Sequence, residues 1–295
     1  MVDTLWTHID QAIAQALGRT FRSQTPRAIG GGSINEAFVV SDGRTQVFVK
    51  LNSVAHGDMF AAEAAGLREL AIPKALRVPA VIAEGKAGRR CFLVLEFIEF
   101  SANGGAIDRF GEGLARLHRH TQAQFGWARD NTLGATPQIN TPHRLWPDFY
   151  AHRRLEYQFR LAADAGYRGT MLRDGERLLS DLGKFFVTYR PCPSLLHGDL
   201  WSGNYAYDTQ GAPVIFDPAV YYGDREADIA MTELFGGFPP AFYSAYKNAW
   251  PLDDGYQVRK ILYNLYHVLN HFHLFGGSYA RQAEQMVARL SAELQ

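Results

Sequence analysis

The sequence predicts an α+β chain of two lobes: a small N-terminal lobe built on an antiparallel sheet and a larger, mainly helical C-terminal lobe. Three observations lead there. Alternating apolar runs joined by an Asp42-Gly43 turn fall before residue 100. A breaker-rich "SANGG" follows at 101–105. Beyond it, apolar residues recur at helical spacing almost to the C-terminus. The boundary is therefore expected at the breaker, giving lobes of residues 1–100 and 101–295.

Residues 3–17 fit a helix, with Leu5, Ile9, Ile13 and Leu17 on one stripe and Gly18 as the stop. "PRAIGGGSINEAFVVSDGRTQVFVKLN" then reads as a strand, a Gly-rich turn and a hairpin carrying Ala37 to Val40 and Val47 to Val49. A helix is expected at 58–71 and strands at 78–83 and 90–98. In the second lobe, helices are expected at 108–122, 147–165, 170–188, 240–248, 256–275 and 280–293. Two short strands, Ser194 to Leu196 and Val214 to Phe216, interrupt that helical text and bracket "LLHGDLWSGN" at 195–204.

Thirty Lys+Arg balance thirty Asp+Glu, so no global field favours nucleic acid or an anionic membrane. No stretch has the ~20 apolar residues of a membrane span, and the first residues lack the basic and apolar parts of a secretory signal. A cytoplasmic location is expected. Cys91 and Cys192 are too few for a disulfide framework and lie in no metal-ligand spacing; Cys91, inside an apolar run, is expected to be buried.

"HGDLWSGN" carries the chemistry. Asn204 and Asp217 offer oxygens suited to a hard cation such as Mg²⁺ shared with phosphates. Asp199 is then free to accept a proton from a hydroxyl nucleophile. Upstream, Gly31, Gly32 and Ser33 give a backbone that approaches phosphate oxygens closely. Lys50, at a strand end, would reach the α/β-phosphates of ATP, and Glu63 in the next helix would hold it by an ion pair. A Gly-rich turn, a strand Lys, a helix Glu, His-x-Asp-Leu-x-x-x-Asn and a later Asp follow one another in the order of the kinase mechanism.

"HGDLWSGN" with "VIFDPAVYYGDREADIAMTELFGGF" resembles the fructosamine kinase family, a branch of the protein-kinase-like phosphotransferases. Gly198 in His197-Gly198-Asp199 separates this branch from protein kinases. Trp201 and "LGATPQINTPHRLWPDFYAHRRLEYQ" point to the same family, and the resemblance runs from about Gly30 to the last helix. It implies a bilobal protein-kinase-like fold and ATP- and Mg²⁺-dependent phosphorylation of the 3-hydroxyl of ketosamines, small or protein-bound, leading to deglycation. It implies Asp199 as base, Asn204 and Asp217 as metal ligands, Lys50 with Glu63 as phosphate anchor, and the backbone of Glu96, Phe97 and Ile98 as the adenine-binding segment. His197 and Asp228 are implied as supports of the catalytic loop. Pro218-Ala219 stand where protein kinases carry Phe-Gly after the metal-binding Asp. Ser33 stands where some family members carry a Cys.

Trp201 and Trp146 are candidates to stack on substrate, against the plainer expectation of buried indoles. His267, His271 and His273 are expected to pack among aromatics with satisfied imidazoles, with His271 or His273 bordering the sugar pocket as a second possibility. His118 and His120 are expected as packing and surface residues, Asp224 as a helix N-cap and Arg225 as solvated. Two other functions remain open at this stage. One is a related small-molecule kinase acting on an aminoglycoside, choline or homoserine; the other is a non-catalytic pseudokinase.

Overall fold

The computed structural model describes residues 2–30 and 35–294. Gly31, Gly32 and Ser33, the expected phosphate-cradling turn, lie outside the described residues. The chain forms two compact units: residues 1–105 with 206–217, and residues 106–205 with 218–295.

In the first unit, strands β1 (Arg27–Ile29), β2 (Glu36–Ser41), β3 (Gln46–Ser53), β4 (Val81–Ala87) and β5 (Arg90–Glu96) make an antiparallel sheet of order β1-β2-β3-β5-β4. The β2–β3 hairpin closes where the sequence places it. Asp42 Oδ1 accepts the N–H groups of Arg44 and Thr45 at 2.9 and 2.7 Å, and Gly43 supplies a φ of 87°. Strand alternation then sorts the two faces. Val47, Val49, Leu51, Phe92 and Val94 meet Ile9 and Ile13 of helix α1 (Val2–Leu17). Cys91, Leu93, Leu95 and Phe48 meet Phe60, Ala64 and Leu67 of helix α2 (Gly57–Ala71). Lys50 shares the parity of Phe48 and so points to α2, the helix that carries Glu63. Cys91 is buried as expected and its thiol donates to the Ser53 carbonyl at 3.0 Å.

Three boundaries differ from the sequence reading. The strand expected at 78–83 starts later, after Pro79, because β4 puts Glu84 and Lys86 outward in a half-exposed alternation that an apolar count overlooks. Residues 206–217, assigned by sequence to the second lobe, belong to the first unit. There Ser101 N–H donates to Tyr207 O at 2.8 Å, and Arg77 exchanges backbone bonds with Pro213 and Ile215 at 3.3 and 3.0 Å. The Arg77 guanidinium pairs with both Asp208 and Glu96. The first unit also runs to residue 105, beyond the expected boundary at 100.

The second unit is mainly helical: α3 (Ile107–His118), α4 (Trp146–Tyr150), α5 (Glu156–Asp164), α6 (Met171–Asp181), α7 (Glu226–Leu234), α8 (Pro240–Ala249), α9 (Tyr256–Phe275) and α10 (Tyr279–Ala292). The helices expected at 108–122 and 170–188 end earlier, the second relaxing into a 3₁₀ turn over Leu182–Phe186. Between α4 and α5 a π-helical turn, Ala151–Leu155, interrupts the helix expected at 147–165. A hairpin of β6 (Asn131–Leu133) and β7 (Thr136–Gln138), unforeseen in the sequence, packs in this unit. Strands β8 (Ser194–Leu196) and β11 (Tyr221–Gly223) pair antiparallel in this unit, while β9 (Tyr205–Tyr207) and β10 (Pro213–Ile215) form a two-stranded sheet of the 206–217 segment of the first unit. Among the described residues, no helix is long and apolar enough to cross a membrane.

Candidate active site

The first unit assembles a lysine between two acids. Lys50 Nζ lies 2.6 Å from Glu63 Oε1 and also pairs with Asp217. Burial works against its charge, but the two carboxylates outweigh that cost and raise the pKa above the ordinary lysine value. Lys50 and Glu63 are buried, whereas half of the Asp217 side chain stays exposed. Asp217 also adopts φ of 55°, a left-handed conformation uncommon outside glycine. The lysine thus stays protonated, with one carboxylate anchoring it from the core and another reaching it from an exposed turn.

Around residues 96–98, Glu96 N–H donates to the Ala80 carbonyl at 2.8 Å, so this group is not a donor to a nucleobase. The Glu96 carboxylate takes the Arg77 guanidinium at 2.7 Å and Ala80 N–H at 3.2 Å. Phe97 is half-buried and Ile98 buried. Nearby, Phe100 stacks on Phe216 with centroids 5.4 Å apart and planes at 18°. The sequence reading missed both rings; Phe216, directly before Asp217, was the available signal.

The second unit presents the polar loop. Asn204 Nδ2 donates to Asp199 O at 2.8 Å and to Asp199 Oδ2 at 3.2 Å, which ties the asparagine to the aspartate it follows by five residues. The other end of that amide is oxygen, a ligand type suited to Mg²⁺, as is the Asp217 carboxylate. Among the described residues, no group of three or more His, Cys, Asp and Glu side chains is gathered to hold a metal. His197 is buried, and its Nδ1 accepts the Asp199 N–H at 3.3 Å. Gly198 has φ of 83°, and a Cβ there would lie 2.0 Å from the Ala219 carbonyl. That clash explains a glycine between His197 and Asp199.

Beneath the loop, Asp228 accepts the N–H groups of His197 and Gly198 at 2.7 and 2.9 Å. Its Oδ2 also lies 3.2 Å from His118 Nε2. Burial alone would raise the Asp228 pKa, but the His118 hydrogen bond and the Gly198 N–H hold it below the usual carboxylate value. A donor chain feeds this contact. Arg225 Nη1 donates to the Tyr246 hydroxyl at 3.1 Å, and the Tyr246 oxygen lies 2.7 Å from His118 Nδ1. With its oxygen accepting from Arg225, the tyrosine donates to Nδ1, which puts the imidazole proton on Nε2, facing Asp228. Burial also pushes the His118 pKa down, in keeping with a neutral ring.

Several expectations change here. Trp146 is 1% exposed, packs on Phe125, Phe149 and Tyr150, and donates from its indole N–H to Tyr263 at 3.1 Å. It is a core residue and not a substrate platform. Trp201 stays 38% exposed. Arg225 is buried rather than solvated, its guanidinium 4.1 Å from the Trp250 ring centroid and bonded to the carbonyls of Trp250 and Pro251. Arg225, not Asp224, is the N-cap residue of α7; Asp224, one residue earlier, accepts the Glu226 N–H at 3.0 Å and takes the hydroxyls of Tyr189 and Tyr263. His267 is buried with Nδ1 lacking a hydrogen-bond partner among the described residues, which corrects the expectation of satisfied imidazoles. Burial and the neighbouring His271 push its pKa to about 3. His271 packs among rings, and His273 is exposed.

A small sheet unit with an acid-held lysine, joined in sequence to a helical unit with a His-Gly-Asp loop, defines a phosphotransferase of the protein-kinase-like class. The chain belongs to the fructosamine kinase family, whose profile matches residues 5–293. It is 49% identical over 284 residues to a probable ketoamine kinase of Synechocystis sp., covering 96% of this chain and 95% of that one. It is 40% identical over 265 residues to the chloroplastic protein-ribulosamine 3-kinase of Arabidopsis thaliana, covering 88% and 80%. A crystal structure from Haemophilus somnus that carries a provisional fructosamine-3-kinase name superposes with a TM-score of 0.88 at 29% identity, covering 97% and 99%.

Proposed function

We propose that this kinase transfers the γ-phosphoryl group of ATP to the 3-hydroxyl of a ketosamine, with ribulosamines preferred over fructosamines. The observation that carries the reading is the Asp199–Asn204 contact on a polar loop, in a chain 40% identical to a protein-ribulosamine 3-kinase. Asp199 orients the acceptor hydroxyl and takes its proton as the oxygen attacks phosphorus. Lys50, held by Glu63, anchors the α/β-phosphates as a fixed positive charge. Asn204 and Asp217 would supply oxygens for Mg²⁺, which would neutralise phosphate charge. Gly31, Gly32 and Ser33 are the residues expected from the sequence to meet the phosphates, and Phe97 and Ile98 border the adenine. His197 and Asp228 hold the loop in shape, and Trp201 borders the acceptor. A phosphate on carbon 3 is expelled when the adduct enolises toward carbon 1, and hydrolysis then frees the amine. The protein would in this way reverse glycation. The aminoglycoside, choline, homoserine and pseudokinase readings are not favoured by the curated relatives, which are named ketoamine and ribulosamine kinases.

Turnover of ribuloselysine and fructoselysine with Mg·ATP, read by phosphorus NMR, tests the reading. The expected product carries phosphate on the 3-hydroxyl. The Asp199→Asn variant should still bind ATP but turn over roughly 10³-fold more slowly, in the range of a lost general base. A variant that keeps more than about a tenth of the activity overturns the base assignment.

A further inference from the structure

A ketosamine has two chemically different ends. One is a hydroxyl-rich sugar, whose 3-hydroxyl must reach Asp199 under the reading above. The other is a secondary amine, protonated at neutral pH, with whatever chain the amine brings. Beside the Asp199 loop, the second unit carries a row of aromatic rings in edge-on and tilted contact.

The row starts two residues after Asp199. The Trp201 indole lies over Gly203, where a Cβ would come within 2.3 Å of the ring, so the absence of a side chain there seats the indole. Trp201 meets Phe235 edge-on with centroids 6.4 Å apart. Phe235 meets His271 at 4.8 Å, and His271 meets Phe275 at 5.5 Å and Tyr279 at 5.2 Å. Both ends of the row are open: Trp201 is 38% exposed and Phe275 is 64% exposed.

Two helix C-termini converge on the row. Phe235 is the residue directly after α7, and His271 and Phe275 occupy the last turns of α9. Their carbonyl ends carry partial negative charge; the last turn of α7 contains no basic residue to compensate it, and that of α9 contains His273. His271 Nδ1 lies 2.8 Å from the His267 carbonyl, which only accepts, so the proton sits on Nδ1 and Nε2 carries a lone pair. Burial lowers the His271 pKa, favouring the neutral ring. Aromatic faces, carbonyl dipoles and a neutral imidazole lone pair all favour an organic cation that carries N–H donors and an apolar chain.

We propose that the row from Trp201 through Phe235 and His271 to Phe275 and Tyr279 is the subsite for the nitrogen end of the acceptor, binding its protonated secondary amine and alkyl chain. The assignment rests on the ketosamine-kinase reading. It makes the amine substituent, as well as the sugar, a determinant of specificity.

Steady-state kinetics on ribulose adducts of methylamine and hexylamine, together with the ether analogue of the hexyl adduct, tests it. For the wild-type kinase, kcat/KM should rise about tenfold from methyl to hexyl, as expected for burying a few methylenes. It should fall by about tenfold when oxygen replaces the charged nitrogen. In Phe275→Ala, whose ring is exposed enough for the fold to tolerate its loss, the hexyl-to-methyl ratio should collapse toward one. In His271→Leu, which keeps bulk but removes the lone pair, the amine-to-ether ratio should shrink. A wild-type kinase that turns over all three acceptors equally, or variants that keep both wild-type ratios, would overturn the subsite while leaving the ketosamine reading intact. No turnover of any amine adduct would overturn both.

Discussion

Tyr246 donates its hydroxyl proton to His118 Nδ1 across 2.7 Å, and this direction fixes which histidine nitrogen faces the catalytic loop. The oxygen of Tyr246 is already an acceptor for Arg225, so the chain Arg225–Tyr246–His118–Asp228 runs one way. It ends on the backbone of His197 and Gly198. A buried carboxylate that receives three N–H groups is stable only as an ion, and the residues above it supply the protons.

Asp228→Asn should therefore lower stability by about 1–3 kcal/mol, because an amide cannot accept all three donors. The pH dependence has a definite sign. The folded-state pKa of Asp228 is depressed, so its contribution is present above the ordinary carboxylate value and is lost as pH falls through the depressed one. Urea unfolding of both proteins at neutral pH and near pH 3 should show a gap that narrows in acid. An equal gap at both pH values would argue against an ionised Asp228.

Gly198→Ala should be far more damaging than a usual surface change. The substitution must relieve a 2.0 Å approach to the Ala219 carbonyl and a φ of 83° at once. A loss of at least ~1–2 kcal/mol in stability is expected, with kcat falling more than nucleotide affinity. Thermal unfolding together with nucleotide titration separates the two effects.

Lys50→Met removes the cation between Glu63 and Asp217. Mg·ATP affinity should fall by roughly tenfold to a hundredfold, the worth of a charge-assisted contact. Calorimetric titration with and without Mg²⁺ measures it. Asp217→Ala should weaken mainly the Mg²⁺-dependent part of the affinity, leaving metal-free nucleotide binding closer to wild type.

Trp146→Phe should lower the melting temperature but leave the KM for a ketosamine near the wild-type value, because the indole is enclosed and its N–H is taken by Tyr263. Core truncations of this size cost about 1–3 kcal/mol. A selective rise in acceptor KM with unchanged stability would return Trp146 to the substrate site.

What could be read in the sequence was mostly local. The helix α9 matches its expected bounds because Gly255 and Gly276 flank a continuous apolar periodicity. The strand β8 matches because an apolar run ends at a histidine loop. Lys50 and Glu63 meet because strand parity and helix position put both side chains on one face of the sheet. The unread parts depend on distant partners or on changes that leave periodicity intact. The π-turn at Ala151–Leu155 adds a residue to a turn without altering its composition. His118 and Asp228 are 110 residues apart, so no local pattern announces their bond. Arg225 sits in a charged "GDREAD" stretch, yet Trp250, Pro251 and Tyr246 enclose it from another part of the chain.

The short segment 206–217 is filed with residues 1–105, although a hundred residues of the other unit come between them. A single scission after residue 105 would therefore release neither unit whole: the front fragment would lack Ile215 and Asp217, and the back fragment would carry them without the Arg77 backbone and the Lys50 side chain they bond to. Swapping the first unit between relatives requires two inserts that travel together, 1–105 and 206–217. A chimera that moves only the first would separate Lys50 from the Asp217 of its own lineage.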